Sequence, residues 1–185
     1  MVGVVLAGGR STRYGTDKAF ALVNGLPMVR LVADALLAAG ITEVRALGGD
    51  AEALRAVGLT VVADDHPDQG PLGALLTAFA ATDAETVVVA ACDLPSLTGA
   101  HVRRVLDALA RDPAAAAAVP RTDRLEPLGG AAYRVRHCAD RFRSAFGNGE
   151  RGLQPVLDDL PIVAVDTERT VLLNVNRPSD RPSPR

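Results

Sequence analysis

Val2-Gly3-Val4-Val5-Leu6-Ala7-Gly8-Gly9-Arg10-Ser11-Thr12-Arg13-Tyr14-Gly15-Thr16-Asp17-Lys18 is an apolar run that breaks into a glycine-rich loop. Val2 to Leu6 reads as a buried strand and Ala7 to Asp17 as the loop. Adjacent glycines let backbone N–H groups come close to an anion, and Arg13 and Lys18 supply positive charge. Two glycines alone would suit any strand-to-helix loop. Gly8, Gly9, Arg13, Gly15 and Lys18 together, directly after the first strand, point to phosphate binding. The loop fits neither G-x-x-x-x-G-K-[ST] nor G-x-G-x-x-G. Lys18 is also the only lysine among 20 basic side chains; the rest are arginine. Composition gives no reason for that one position to escape the arginine bias.

The alternation continues downstream. Pro27 to Ala39 carries apolar residues at helical spacing and is stopped by Gly40. Glu43 to Leu47 predicts a strand, Ala51 to Val57 a short helix, and Leu59 to Ala63 a strand ending at Asp64-Asp65. Asp68 to Gly73 reads as a loop and Ala74 to Ala81 as a helix. Thr86 to Ala91 is a strong buried strand ending at Cys92-Asp93, and Thr98 caps a helix that runs to Ala110. Ala114 to Val119 has helical propensity, but its place between a helix and Pro120 predicts a strand. Leu128 to Tyr133 predicts a strand, Val135 to Phe146 and Leu153 to Leu160 helices, and Ile162 to Val165 and Val171 to Val175 late strands. Such alternation predicts an α/β fold of three layers, a mostly parallel twisted sheet with helices on both faces. The length predicts a single domain over residues 1–177. Three prolines in the last eight residues predict a disordered tail over 178–185.

Composition removes several classes of function. A net charge of -2 gives no basic face for nucleic acid, and the few aromatics, with no Trp, leave little for bases to stack on. No apolar run approaches the ~20 residues of a membrane span, and the start is too short for a secretory leader. Cys92 and Cys138 form neither a disulfide framework nor a zinc spacing. The expectation is a cytoplasmic protein. His66, His101 and His137 are scattered, with His101 and His137 on expected exposed helix faces, so no Ser–His or Cys–His pair arises. Cys92 reads as a small buried apolar residue.

In parallel sheets ligands sit outside the carboxyl ends of the strands. The candidates are therefore Ala7 to Lys18, Leu47 to Asp50, Asp64-Asp65, Cys92-Asp93 and Asn174 to Asn176. Asp93 ends a buried strand before a proline turn. A carboxylate there suits Mg²⁺, a hard ion that takes one or two carboxylates plus phosphate oxygens and water. A turn or helix-capping aspartate fits the spacing equally well. Asn174 and Asn176 lie two apart and would share one face of a strand. An amide there ligates a metal, bonds a phosphate, or forms the turn before Pro178.

Leu6-Ala7-Gly8-Gly9 followed by Arg13, Gly15, Asp17 and Lys18 resembles the signature of nucleotidyltransferases that use a nucleoside triphosphate. It is most similar to the molybdenum cofactor guanylyltransferases, the MobA family. Gly70-Pro71-Leu72-Gly73 resembles that family's G-P-L-[AG] loop, and Cys92-Asp93-Leu94-Pro95 its C-D-x-P metal motif. Glu126-Pro127-Leu128 resembles its E-P-L, Gly149-Glu150-Arg151 its G-E-R, and Asn174-Val175-Asn176-Arg177-Pro178 its N-V-N-T-P. The stretches come in family order across residues 2–180. Tyr14 replaces a usual methionine, Leu47 an asparagine of some members, and Arg177 the threonine. The helix expected after the last motif is replaced by Ser179-Asp180-Arg181-Pro182.

The resemblance implies a Rossmann-like nucleotidyltransferase fold. It implies transfer of GMP from GTP to the terminal phosphate of molybdopterin, with or without molybdenum, and Mg²⁺ as cofactor. Catalytic roles would fall to Arg13, Lys18 and Asp93. Nucleotide contacts would come from Leu6, Ala7, Gly8 and Gly9, and from Lys18, Asp64 and Asp93, with Asp65 the register-shifted alternative to Asp64. Metal ligation would come from Asp93 and Asn176. The implied partners are GTP, molybdopterin and a molybdoenzyme or cofactor-delivery protein, with no nucleic acid and no membrane. The Gly70 to Gly73 loop and the segment Arg121 to Gly130 fall, by position, where the acceptor would sit. A cytidylyltransferase of the same cofactor, a sugar-phosphate nucleotidyltransferase and a non-catalytic GTP-binding accessory protein are the alternatives.

Overall fold

β1 (Val2–Leu6) is an interior strand of a seven-stranded sheet in a computed structural model that describes residues 1–8 and 18–175. Its neighbours β4 (Val44–Leu47) and β6 (Thr86–Ala91) both run parallel to it. β5 (Thr60–Val62) extends the sheet beyond β4. On the other side come β8 (Gly129–Arg134), β7 (Ala117–Arg121) and the edge strand β9 (Ile162–Asp166), giving the order β5-β4-β1-β6-β8-β7-β9. β8 alone runs against its neighbours; every other pair in this sheet is parallel. A small hairpin of β2 (Leu22–Val23) and β3 (Leu26–Pro27) stands apart from it.

Successive strand residues point to opposite faces, and here both faces are covered. Val5, Val88 and Ala90 pack in one layer with α1 (Met28–Ala38) and α4 (Gly99–Arg111). Val4, Val87 and Val89 pack in the other with α3 (Gly70–Ala80) and α5 (Val135–Gly147). Burial on both sides is why these strands read as unbroken apolar runs. Phe79, Tyr133 and Phe142 meet in the second layer, with the Phe79 and Phe142 rings stacked at 5.5 Å. α2 (Ala51–Ala56) and α6 (Gln154–Leu157) are short; α2 is capped by Asp50, whose side chain accepts from the Glu52 and Ala53 amides. No helix among the described residues is long and apolar enough to cross a membrane.

Several sequence expectations need correction. α3 begins at Gly70 rather than Ala74. Gly70 takes a φ of +81° to turn the chain, and Pro71 is tolerated in a first helical turn, where its missing N–H costs no bond. The alanine run does become a strand, but only from Ala117; burial between β8 and β9 overrides helical preference. Only Gln154–Leu157 of the expected helix from Leu153 to Leu160 is helical. Val171 to Val175 is not a strand: Arg169–Leu172 forms a 3-10 turn. The buried residues there, Leu172 and Val175, are three apart, and Leu173 between them is exposed, so period two never holds.

His101 is buried at 4% exposure, not on an exposed face. The packed stripe of α4 is His101, Val102, Val105 and Leu109, a helical spacing that includes the histidine. Its polar end is satisfied by the Gly129 carbonyl, 3.0 Å from Nε2. Burial lowers this imidazole below its ordinary 6.5; the Gly129 bond opposes that and the Arg104 charge reinforces it. The unfolded chain therefore takes up the proton first. The stability contributed by a neutral His101 is complete above pH ~6.5 and is lost as pH falls below it. Thermal melts at pH 7.5 and pH 5 should show a drop in midpoint that is smaller in His101→Gln. Equal drops in the two proteins would remove His101 from the effect.

Candidate functional site

The carboxyl ends of β5, β4, β1 and β6 stand side by side and carry Asp64, Gly48-Gly49, Ala7-Gly8 and Cys92-Asp93 in that order. Leu6 closes β1, and its carbonyl accepts the Cys92 N–H at 3.1 Å. The Ala7 and Gly8 amides both donate to the Leu47 carbonyl, at 2.9 and 3.2 Å. These two amides are thus engaged by the neighbouring strand end and do not face a ligand as phosphate-loop donors. What the turn offers is a bare edge. A Cβ on Gly49 would lie 2.9 Å from the Ala7 carbonyl oxygen, and one on Gly48 3.1 Å from the Gly8 Cα. Both glycines also take positive φ, +71° and +76°, so the two turns lie backbone against backbone.

Asp64 borders these turns, its Cβ 3.9 Å from where a Gly48 Cβ would be. Its Oδ1 accepts the His66 N–H at 2.9 Å and lies 3.2 Å from the Thr77 hydroxyl. Thr77 Oγ1 in turn accepts the Asp65 N–H at 3.2 Å. Asp64 therefore faces the glycine turns, while Asp65 is exposed. Thr77 is buried and steadies both, a role its ordinary place inside α3 does not announce.

Lys18 Nζ lies 2.6 Å from Asp93 Oδ2, with the two side chains 15% and 16% exposed. Asn174 Nδ2 donates to the same oxygen at 3.1 Å, and the Val175 N–H donates to the Asp93 carbonyl at 3.0 Å. Asn174 reaches Asp93 from an irregular segment, so the strand face expected to present the two asparagines is not what brings an amide here. Asp93 Oδ1 is buried and has no hydrogen-bond partner among the described residues. A buried carboxylate oxygen left this way is costly unless something takes its lone pairs. A hard cation would. No group of three or more His, Cys, Asp or Glu is gathered among the described residues. One carboxylate beside an amide oxygen is the sparse donor set that suits Mg²⁺, whose remaining positions go to phosphate and water. The residues present therefore fit the ion. Gly9, Arg13 and Asn176 lie outside the described residues.

Beyond Asp93 the edge opens into a cleft of about 410 Å³. It lies between Pro71 at the start of α3, residues 124–129 before and at the start of β8, and residues 152–154, with Asp93 and Asn174 in its wall. Two of the sequence motifs meet beside it. The Arg151 carbonyl accepts the Leu72 N–H at 3.1 Å, and a Cβ on Gly70 would lie 2.7 Å from that carbonyl oxygen. Glu150 accepts the Gly152 and Arg151 N–H groups at 2.7 Å each, which hold its carboxyl below the usual range. The Arg151 guanidinium sits 4.1 Å from the Phe146 ring centre. Both cysteines are buried, and burial pushes the Cys138 thiol up to about 12. It carries no thiolate near neutral pH.

The MobA-like NTP transferase domain model matches residues 3–165. A probable molybdenum cofactor guanylyltransferase of Chloroflexus aggregans is 34% identical, over 97% of this chain and 91% of that protein. A molybdenum cofactor guanylyltransferase of Xanthomonas euvesicatoria is 42% identical over 56% of this chain, a match that spans about half (52%) of the relative's length. The crystal structure of molybdopterin-guanine dinucleotide biosynthesis protein A from Archaeoglobus fulgidus superposes with a TM-score of 0.75, covering 97% of this chain and 94% of that chain at 22% identity. At that identity the likeness shows the fold, a Rossmann-like nucleotidyltransferase sheet. Glycine turns, a half-buried carboxylate and an open cleft stand here at adjacent strand ends. From Gly3 to Val165 the chain belongs to the MobA-like NTP transferase family.

Proposed function

We infer that the protein transfers GMP from GTP to the terminal phosphate of molybdopterin, giving the guanine dinucleotide cofactor and pyrophosphate. The guanylyltransferase relatives support that pair of substrates. The observation that carries the reading is the place of Asp93, whose buried Oδ1 has no partner among the described residues, between the glycine turns and the cleft. GTP lies along Leu6, Ala7, Gly8, Gly48, Gly49 and Asp64, with its triphosphate toward Lys18 and Arg13. The acceptor enters from the cleft, where Arg124 is the basic group. Its phosphate oxygen bonds to the α-phosphorus as the bond from that phosphorus to the bridging oxygen breaks, and pyrophosphate leaves with the electron pair. A phosphate monoester has its second pKa at about 6, so the nucleophile is already ionised and needs no strong base. The protein's task is alignment and compensation of charge. Asp93, with Asn174 beside it and Asn176 by its motif, holds Mg²⁺, which when bound offsets negative charge on the phosphates. Lys18 and Arg13 compensate the departing pyrophosphate. The product then passes to a molybdoenzyme or a delivery protein.

The protein incubated with molybdopterin, Mg²⁺ and each nucleoside triphosphate in turn should give, with GTP alone, a product heavier by GMP in mass spectrometry. A CMP adduct would reassign the nucleotide. No adduct with any of them would discard the acceptor.

The glycine turns give a second measurement. Gly49→Ala forces an L side chain into positive φ and against the Ala7 carbonyl. Strain and overlap of this kind should weaken GTP binding roughly tenfold or more, read by titration calorimetry. Unchanged affinity would move the nucleotide away from these turns.

A further inference from the structure

We propose that His101 is a positioning residue for the acceptor: its buried Nε2–H holds the Gly129 carbonyl of a bulge that forms the cleft wall beside Asp93. The proposal rests on the reading of that cleft as the acceptor site.

β8 pairs with β6 in regular register from Thr86 opposite Arg134 to Val89 opposite Ala131. Ala90 then faces Gly129, and Gly130 is left over. An extra residue of this kind is a bulge, which interrupts the ladder and re-aims the chain that flanks it. Gly130 takes a φ of +84°, and a Cβ there would lie 3.3 Å from the Val102 side chain and 3.5 Å from that of Leu97. α4 thus presses directly on the bulge. Gly129, next to it, lines the cleft with Asp93. Its N–H donates to the Glu126 carbonyl at 3.0 Å, and the Leu128 carbonyl accepts the Ala91 N–H at 2.9 Å, two residues before Asp93. The remaining carbonyl, that of Gly129, lies 3.0 Å from His101 Nε2.

A carbonyl only accepts, so Nε2 must carry the proton and Nδ1 must be bare. Nδ1 is buried, and no described residue bonds it, so none of them favours the other tautomer. The helix turn that carries the ring is anchored as well, because the His101 N–H donates to the N-cap Thr98 Oγ1 at 3.2 Å. A polar side chain inside an apolar helix stripe is costly unless bonded, and its one bond goes to the wall of the cleft.

The test compares His101→Leu, which loses the donor, with His101→Gln, whose amide reaches nearly the same point. In His101→Leu the KM for molybdopterin should rise roughly tenfold while the KM for GTP stays at the wild-type value. His101→Gln should restore most of the difference. Amide hydrogen exchange at Gly129 and Ala131, measured without substrate, should quicken in His101→Leu and not in His101→Gln. Equal rises in both KM values, or unchanged exchange in a folded His101→Leu, would overturn the proposal. If His101→Leu does not fold, His101→Asn replaces it, since its amide stops one bond short of the carbonyl. Wild-type protein that makes no molybdopterin adduct would sink the acceptor reading, and exchange would still decide what His101 holds.

Discussion

Asp93→Asn should lower guanylyl transfer by at least ~10²–10³-fold and abolish its response to added Mg²⁺. The substitution keeps the volume and changes only the count of acceptor oxygens. In the native site one oxygen faces the Lys18 ammonium and the Asn174 amide, and the other is buried without a partner among the described residues. An asparagine has a single acceptor oxygen. Turned toward Lys18 and Asn174, it sets an NH₂ where a cation would bind. Turned the other way, it sets that NH₂ against an ammonium and another NH₂. Neither orientation serves both sides. Pyrophosphate release followed across a Mg²⁺ titration checks this, and a wild-type rate at low Mg²⁺ would take Asp93 out of the metal site.

Lys18 carries the other large effect. Lys18→Ala removes a charge from the phosphate path and should cost ~10²–10³-fold in turnover. Lys18→Arg keeps the charge and should be impaired as well. A lysine is a compact point charge that engages one carboxylate oxygen, here Asp93 Oδ2 at 2.6 Å. A guanidinium presents a planar fork that favours both oxygens of a carboxylate at once. At this site the fork would cover Oδ1, the oxygen proposed to take the metal. Lys18→Arg should therefore need more Mg²⁺ to reach half its maximal rate, and Lys18→Ala should not. A Lys18→Arg enzyme with the wild-type rate and Mg²⁺ dependence would refute this account. The same geometry gives the only lysine of an arginine-biased chain a physical reason to remain one.

Much of this architecture can be read without coordinates. β1, α1, β4, β6 and α4 fall where apolar periodicity puts them, and a parallel sheet then brings Gly8, Asp64 and Asp93 to one edge. What resists reading depends on pairing. Strand direction leaves no mark on an apolar run, so the reversal of β8 is invisible, and so is the leftover Gly130. His101 looks like a surface residue because its partner is a backbone carbonyl 28 positions away. Asn174 reaches Asp93 through a fold-back of the late chain that no local pattern encodes. The start of α3 is missed because Gly70 and Pro71 signal a loop as strongly as a helix entry.

The reversal of β8 also divides how the two halves of the site can change. Because β8 runs backwards, its first residue and not its last stands at the ligand edge. The proposed nucleotide side is made by the ends of strands β1, β4 and β5, and the chain leaving β4 and β5 goes on to the helices α2 and α3. One wall of the proposed acceptor side is made by a connection between adjacent antiparallel strands, residues 122–128. A connection of that sort can lengthen, shorten or be rewritten without moving a helix or shifting a register. If the cleft takes the acceptor, that wall can be rewritten by a local edit while the strand ends that carry Gly8, Gly48 and Asp64 stay in place.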